Sequence, residues 1–145
     1  MSDPIVFTKK YKISNFDGFL ITDEYIDNNS QLIPIKALWD TGSSESVISS
    51  NLVKKLSLQS IGSALLNGTN LSYQTNIYEI ILFLEKKQRI ILQVTESPQI
   101  SSSGIDLLIG LDVIGMCDFA ISANDKNICM SVRFPSKGLI DFTKE

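Results

Sequence analysis

Apolar and polar residues alternate along most of the chain, and the alternation predicts strands. Residues 16–26 set Phe19, Ile21, Tyr25 and Ile26 among polar neighbours, close to the two-residue period of a half-buried strand. Asp27-Asn28-Asn29-Ser30 follows as a cluster of turn formers. Residues 32–39 read as the returning strand. Pro34 within it points to a strand edge or beginning, because proline has no N–H for a ladder. Residues 40–44 are small and polar and break the pattern. Val47, Ile48, Leu52, Val53 and Leu56 then recur at a spacing nearer to helix than to strand, which predicts a helix over 46–56 capped by Ser49 or Ser50.

The second half is again strand-rich. Residues 62–74 are turn-prone around Asn67-Gly68, the strongest short hairpin signal in the chain. Residues 77–84 and 89–94 form a further hairpin across Glu85-Lys86-Lys87-Gln88. A serine-rich loop over 98–104 leads into 105–110, a short and almost wholly apolar run of the kind buried on both faces. Residues 112–116 predict a short helix. Residues 119–121 and 128–134 read as strands around Asn124-Asp125-Lys126-Asn127, and the segment beyond Pro135 carries no clear pattern. The expectation is a mostly β fold with one or two short helices, as one domain over 1–145, a length ordinary for a single domain.

Composition narrows the chemistry. Hydrophobic residues make up 43% and charged residues 20% of the 145, which is a globular balance. The net charge of −3 gives no broad basic footprint, so nucleic acid is not an expected partner. The first ten residues lack a secretory pattern, and no apolar run is long enough to span a membrane. The expected location is cytoplasmic, with no membrane partner. Cys117 and Cys129 are too few for a disulfide framework and read as two small buried apolar residues. There is no histidine. That removes Ser-His-Asp and Cys-His catalysis and every metal site needing imidazole; no metal and no cofactor are expected.

Two segments carry the informative chemistry. The first is Ala37-Leu38-Trp39-Asp40-Thr41-Gly42-Ser43-Ser44, an apolar strand running into Asp-Thr-Gly-Ser. The second, with Gly110 70 residues after Asp40, is Ile105-Asp106-Leu107-Leu108-Ile109-Gly110-Leu111-Asp112-Val113-Ile114. Together they resemble the retropepsin-like (retroviral-type) aspartic protease family, in particular the protease domain of the DNA-damage-inducible proteins and short bacterial relatives. The likeness runs over about residues 16–134. It implies a closed β-barrel, half of an acid protease, active as a homodimer on peptide or protein substrates in extended conformation.

The resemblance also implies roles. Asp40 would be the catalytic carboxylate. Thr41 would hydrogen-bond across the dimer axis, and Ser43 would set a hydroxyl beside the outer carboxylate oxygen. Gly42 lacks a side chain, so its N–H can approach the carboxylate and the chain can turn sharply. Asn67, Gly68 and Thr69 would form the tip of a flap closing over the substrate. Trp39 would pack beneath the site, and Leu111 stands where many retroviral members carry arginine. The hairpin over 119–134 would pair with its twofold mate. Asp106 and Glu45 read as solvated surface, and the segment around Leu107–Asp112 as scaffold, with Asp112 a helix cap.

Peptide hydrolysis without a metal or a covalent nucleophile requires an activated water. Two carboxylates sharing one proton supply base and acid together, since their repulsion keeps both from ionising. The chain holds one Asp-Thr-Gly and no second copy of the motif. The pair can therefore arise only where two chains meet with Asp40 on the twofold axis. Two other readings stay open. One is a non-catalytic retropepsin-like domain that binds peptides or dimerises. The other is an unrelated β-barrel in which the motif arose by chance.

Overall fold

The computed structural model describes residues 4–67 and 72–145. Among these residues ten strands make two sheets. Strands β1 (Ile5–Lys12), β9 (Asp118–Ala123) and β10 (Asn127–Phe134) form a three-stranded antiparallel sheet in the order β1-β10-β9. The larger sheet runs β2 (Ile21–Asn28), β3 (Gln31–Trp39), β8 (Leu107–Ile109), β4 (Val47–Ser49), β7 (Gln88–Ser97), β6 (Ser72–Leu84) and β5 (Gly62–Asn67). Its first six strands close on themselves, because β2 also pairs β6 at Tyr25↔Phe83 and Ile26↔Leu82. The result is a six-stranded barrel with β5 added outside it. Helices α1 (Ser50–Leu56) and α2 (Leu111–Ile114) follow β4 and β8.

The barrel is filled by inward side chains of these strands. Ile26, Ile48, Leu82, Leu107 and Ile109 are fully buried, and Met130 and Val132 of β10 join the same core. β8 explains why its segment is so apolar: it lies between β3, which it pairs in parallel, and β4, which it pairs antiparallel. Pro34 pairs with Tyr25 of β2, while β8 meets β3 only at Ala37–Trp39. Its missing N–H thus leaves no gap in the β3–β8 ladder, as the edge reading of Pro34 requires.

Most predicted strands and both hairpins are present, and several expectations are corrected. Residues 16–20 are not strand; β2 begins at Ile21. The inward positions of β2 are Thr22, Glu24 and Ile26, not Ile21 and Tyr25. The run read as helix over 46–56 divides: Val47 and Ile48 belong to β4, and the helix starts at Ser50 with Ser49 as its cap, accepting from the Leu52 N–H at 3.1 Å. β1 was not expected, and it pairs β10 over its whole length. The serine-rich loop contains a 3-10 turn at 100–103 that ends on left-handed Gly104. Cys117 and Cys129 are half-buried free thiols rather than core residues. Burial and the neighbouring Asp118 charge push the Cys117 thiol up to about 12, which leaves it unreactive at neutral pH.

The free edges of the three-stranded sheet differ. The outer edge of β1 carries Lys9, Lys10 and Lys12, all exposed. The outer edge of β9 has no charge from Phe119 to Ala123. There Ile121 lies opposite fully buried Met130 in the ladder, yet is 52% exposed.

Candidate active site

The connection between β3 and β4 is the structural centre of the molecule. These strands do not touch; β8 lies between them, so residues 40–46 must arch over the end of β8. Gly110, the residue that follows β8, sits directly beneath the arch. A Cβ there would lie 2.6 Å from the Glu45 carbonyl oxygen and 2.8 Å from that of Ser43. Both contacts are with backbone, so any side chain there would force the arch to shift. The crossing is then sewn by hydrogen bonds. The Asp40 N–H donates to Ile109 at 2.9 Å, and the Leu111 N–H to Ser43 at 2.8 Å.

Ser46 and Asp112 complete the seam. The carboxylate of Asp112 accepts from the Ser46 N–H (2.9 Å), the Ser46 hydroxyl (2.7 Å) and its neighbouring Val113 N–H (2.9 Å). The Ser46 hydroxyl in turn accepts from the Gly110 N–H at 3.1 Å. Asp112 is not the helix cap it was expected to be: the N-cap is Gly110, and Asp112 lies within the first turn. It joins the two motif segments, an arrangement that their sequence separation concealed. Asp106 also departs from a surface role: its carboxylate accepts from the Lys36 N–H at 2.8 Å and fixes the start of β8 to β3.

Asp40 stands at the end of β3. Its carboxylate accepts from the Gly42 N–H at 2.8 Å, as the lack of a side chain at Gly42 led one to expect. A Cβ on Gly42 would approach the same oxygen to 3.1 Å. Thr41 is exposed at the rim. The Ser43 hydroxyl donates to the Glu45 carbonyl at 2.7 Å, so within one chain it closes the loop and does not reach toward the Asp40 carboxylate. A cleft of about 300 Å³ opens beside Asp40, lined by Gly18, Phe19, Leu20, Leu38, Trp39 and Thr41. Asp40 is its one acidic lining residue among those described. Phe19 and Leu20 were not singled out by the motif, since they come from the loop before β2.

Trp39 packs beneath the site as expected, buried between Phe7 of β1 and Phe119 of β9 at ring separations of 5.9 and 6.0 Å. Asn67 ends β5, the first arm of the hairpin proposed as a flap. Gly68 and Thr69 lie outside the described residues. Among the described residues there is no group of three or more Cys, Asp or Glu side chains able to hold a metal ion. No helix among them is long and apolar enough to cross a membrane.

No family model and no curated protein matches the sequence. Solved structures do match in fold. One is a retropepsin-like aspartic protease from Rickettsia conorii, with a TM-score of 0.57 and 12% identity over 92% of this chain and 98% of that one. Another is the EIAV protease complexed with the inhibitor HBY-793, with a TM-score of 0.53 and 17% identity over 70% of this chain and 89% of that one. At such identities the likeness speaks for the fold alone. The closed barrel, the arch over Gly110 and these matches together establish that the chain has the retropepsin-like fold.

Proposed function

We propose that the protein is an aspartic endopeptidase that works as a homodimer, with one Asp40 from each copy. The observation that carries this reading is a lone carboxylate lining a cleft, oriented by the Gly42 N–H and carried on an arch braced from below. One such group is half of an acid-base pair. A second copy across a twofold axis supplies the other half.

In the dimer one carboxylate is ionised and the other holds the shared proton. The ionised group takes a proton from a water lying between them as its oxygen attacks the peptide carbonyl carbon. The protonated group gives its proton to the carbonyl oxygen. The tetrahedral intermediate then collapses, the C–N bond breaks, and the amine leaves with a proton returned by the pair. Thr41 ties the two arches together beneath the carboxylates, and Gly42 and Ser43 meet the substrate backbone. The β5–β6 hairpin, with Asn67, Gly68 and Thr69 at its tip, closes over an extended peptide and excludes water. Phe19 and Leu20 wall the cleft next to Asp40, which favours an apolar side chain beside the scissile bond. The uncharged edge of β9, where Ile121 is exposed, is the face offered to the second copy.

The test is cleavage of a peptide library from mildly acidic to neutral pH by the wild type and by Asp40→Asn. The expected result is a loss of about a hundredfold or more in rate for Asp40→Asn, and a wild-type specific activity that falls on dilution as the dimer dissociates. Equal rates in the two proteins would remove Asp40 from the reaction. Binding of peptides by the wild type with no cleavage would favour a peptide-binding domain instead.

A further inference from the structure

Glu24 is fully buried in β2, two residues from Thr22 and remote from the catalytic motif in sequence. Its carboxylate accepts from the Thr22 hydroxyl at 2.6 Å and from the Glu85 N–H, in the β6–β7 turn, at 3.0 Å. Thr22 is itself buried, and its oxygen accepts from the indole N–H of Trp39 at 2.8 Å. Trp39 is bonded to Asp40 through the chain, and its own backbone N–H is held by Leu20 at 2.9 Å. A continuous line of hydrogen bonds thus runs from the far turn of the barrel to Trp39, the residue next to Asp40 in the chain.

We propose that Thr22 and Glu24 are positioning residues that orient Trp39, and through it the strand end bearing Asp40, and that this hold depends on the charge of Glu24. The first half stands on geometry. A buried indole N–H and a buried hydroxyl each require a partner, and here each donates to the next, ending on the carboxylate. The second half follows from donor counting. An ionised Glu24 accepts from both Thr22 and Glu85, and no donor is left over. A proton on the oxygen facing Thr22 reverses that bond and strands the hydroxyl hydrogen. A proton on the other oxygen meets the Glu85 N–H. Either way one buried donor is left without an acceptor.

The groups around Glu24 make this titration accessible. Tyr11 of β1 and the side chains of Glu85 and Asp23 face or approach it, and Asp23 is itself paired with Lys36. Burial pushes the Glu24 carboxyl above its ordinary range, aided by the charges of Glu85 and Asp23 and opposed by the hydrogen bonds from Thr22 and Glu85. The line therefore weakens as pH falls through this raised value. The coupling to Asp40 rests on the protease reading above, but the hold on Trp39 does not.

Trp39 is the one tryptophan of the chain, so its emission reports this site alone. The experiment follows wild type, Thr22→Val, Thr22→Ser and Glu24→Gln by emission maximum against pH, by amide exchange at Asp40, and by cleavage kinetics. The wild type should show an emission step on acidification. Glu24→Gln should lack the step and resemble the acid wild type throughout. Thr22→Val should emit at shorter wavelength at every pH, with faster exchange at Asp40 and a kcat reduced about ten- to a hundredfold at unchanged KM. Thr22→Ser should restore all three. Emission and exchange in Thr22→Val equal to wild type, or an emission step that survives in Glu24→Gln, would overturn the proposal. A protein that cleaves nothing would defeat the protease reading, while emission and exchange would still decide this one.

Discussion

The hydroxyl of Ser46 donates to Asp112 at 2.7 Å across a sequence separation of 66 residues, while the Ser46 N–H meets the other oxygen of the same carboxylate at 2.9 Å. Fully buried Ser46 thereby locks the arch that carries Asp40 to the helix after β8. Asp112→Asn keeps the shape but turns one acceptor into a donor. That donor must face either the Ser46 N–H or the Val113 N–H. The expected loss is about 1–3 kcal/mol, the penalty for buried groups left unsatisfied, read from the urea midpoint. Ser46→Ala should lose a similar amount, since it deprives both Asp112 and the Gly110 N–H of a partner.

Gly110→Ala is expected to destabilise by about 1–3 kcal/mol through overpacking, because the new methyl would meet two backbone carbonyls. The arch can relieve the contact only by lifting, and lifting displaces Asp40. Chemical denaturation together with cleavage kinetics checks this; a protein of wild-type stability and activity would mean that the arch does not press on β8.

Stability should change with pH in two opposite ways. Asp118 accepts from Ser136, the Lys137 N–H and Arg133, which hold its carboxyl far below the ordinary range. A depressed carboxylate stabilises above its unfolded pKa, and that contribution is lost as pH falls through the folded value. Asp118→Asn should therefore lower the denaturation midpoint at neutral pH, with a difference from wild type that shrinks in acid. Glu24 has the reverse sign. Its raised carboxyl contributes stability below the unfolded pKa that is lost as pH rises through the folded value. The penalty relieved by Glu24→Gln should accordingly grow as pH rises through the raised folded value. Thermal melts of the three proteins across pH separate the two limbs.

Ile121→Lys should block association at the β9 edge by placing a charge on it. Because Ile121 is already half exposed, the fold should survive. The expected outcome is a shift to monomer in sedimentation, with cleavage lost in proportion. A variant that stays dimeric would place the interface elsewhere.

The strands with local partners were legible in the sequence. β2 with β3, and β6 with β7, alternate clearly and turn on short polar loops. β1 was not, because lysines lie along it and its partner is distant: Thr8 meets Ser131 across 123 residues. β4 was hidden for the same reason, being three residues long and paired only with β7 and β8. In β2 the apolar pattern pointed to the wrong face. Thr22 and Glu24 point inward because Trp39 and the Glu85 turn satisfy them, and a one-residue shift in the facing of a strand reverses every side chain. The motif located Asp40 and Gly42, whose contact is local. The partnership of Ser46 and Asp112 depends on strand order, which no short window of sequence contains.

The contrast between the lysine-bearing border of β1 and the bare border of β9 governs how large an assembly this sheet can build. Two copies joined antiparallel along β9 would form a six-stranded layer whose outer limits are both β1. Each limit then repels further strands, so growth terminates at a pair, and a surface that would otherwise template fibres is used up in the act of closing.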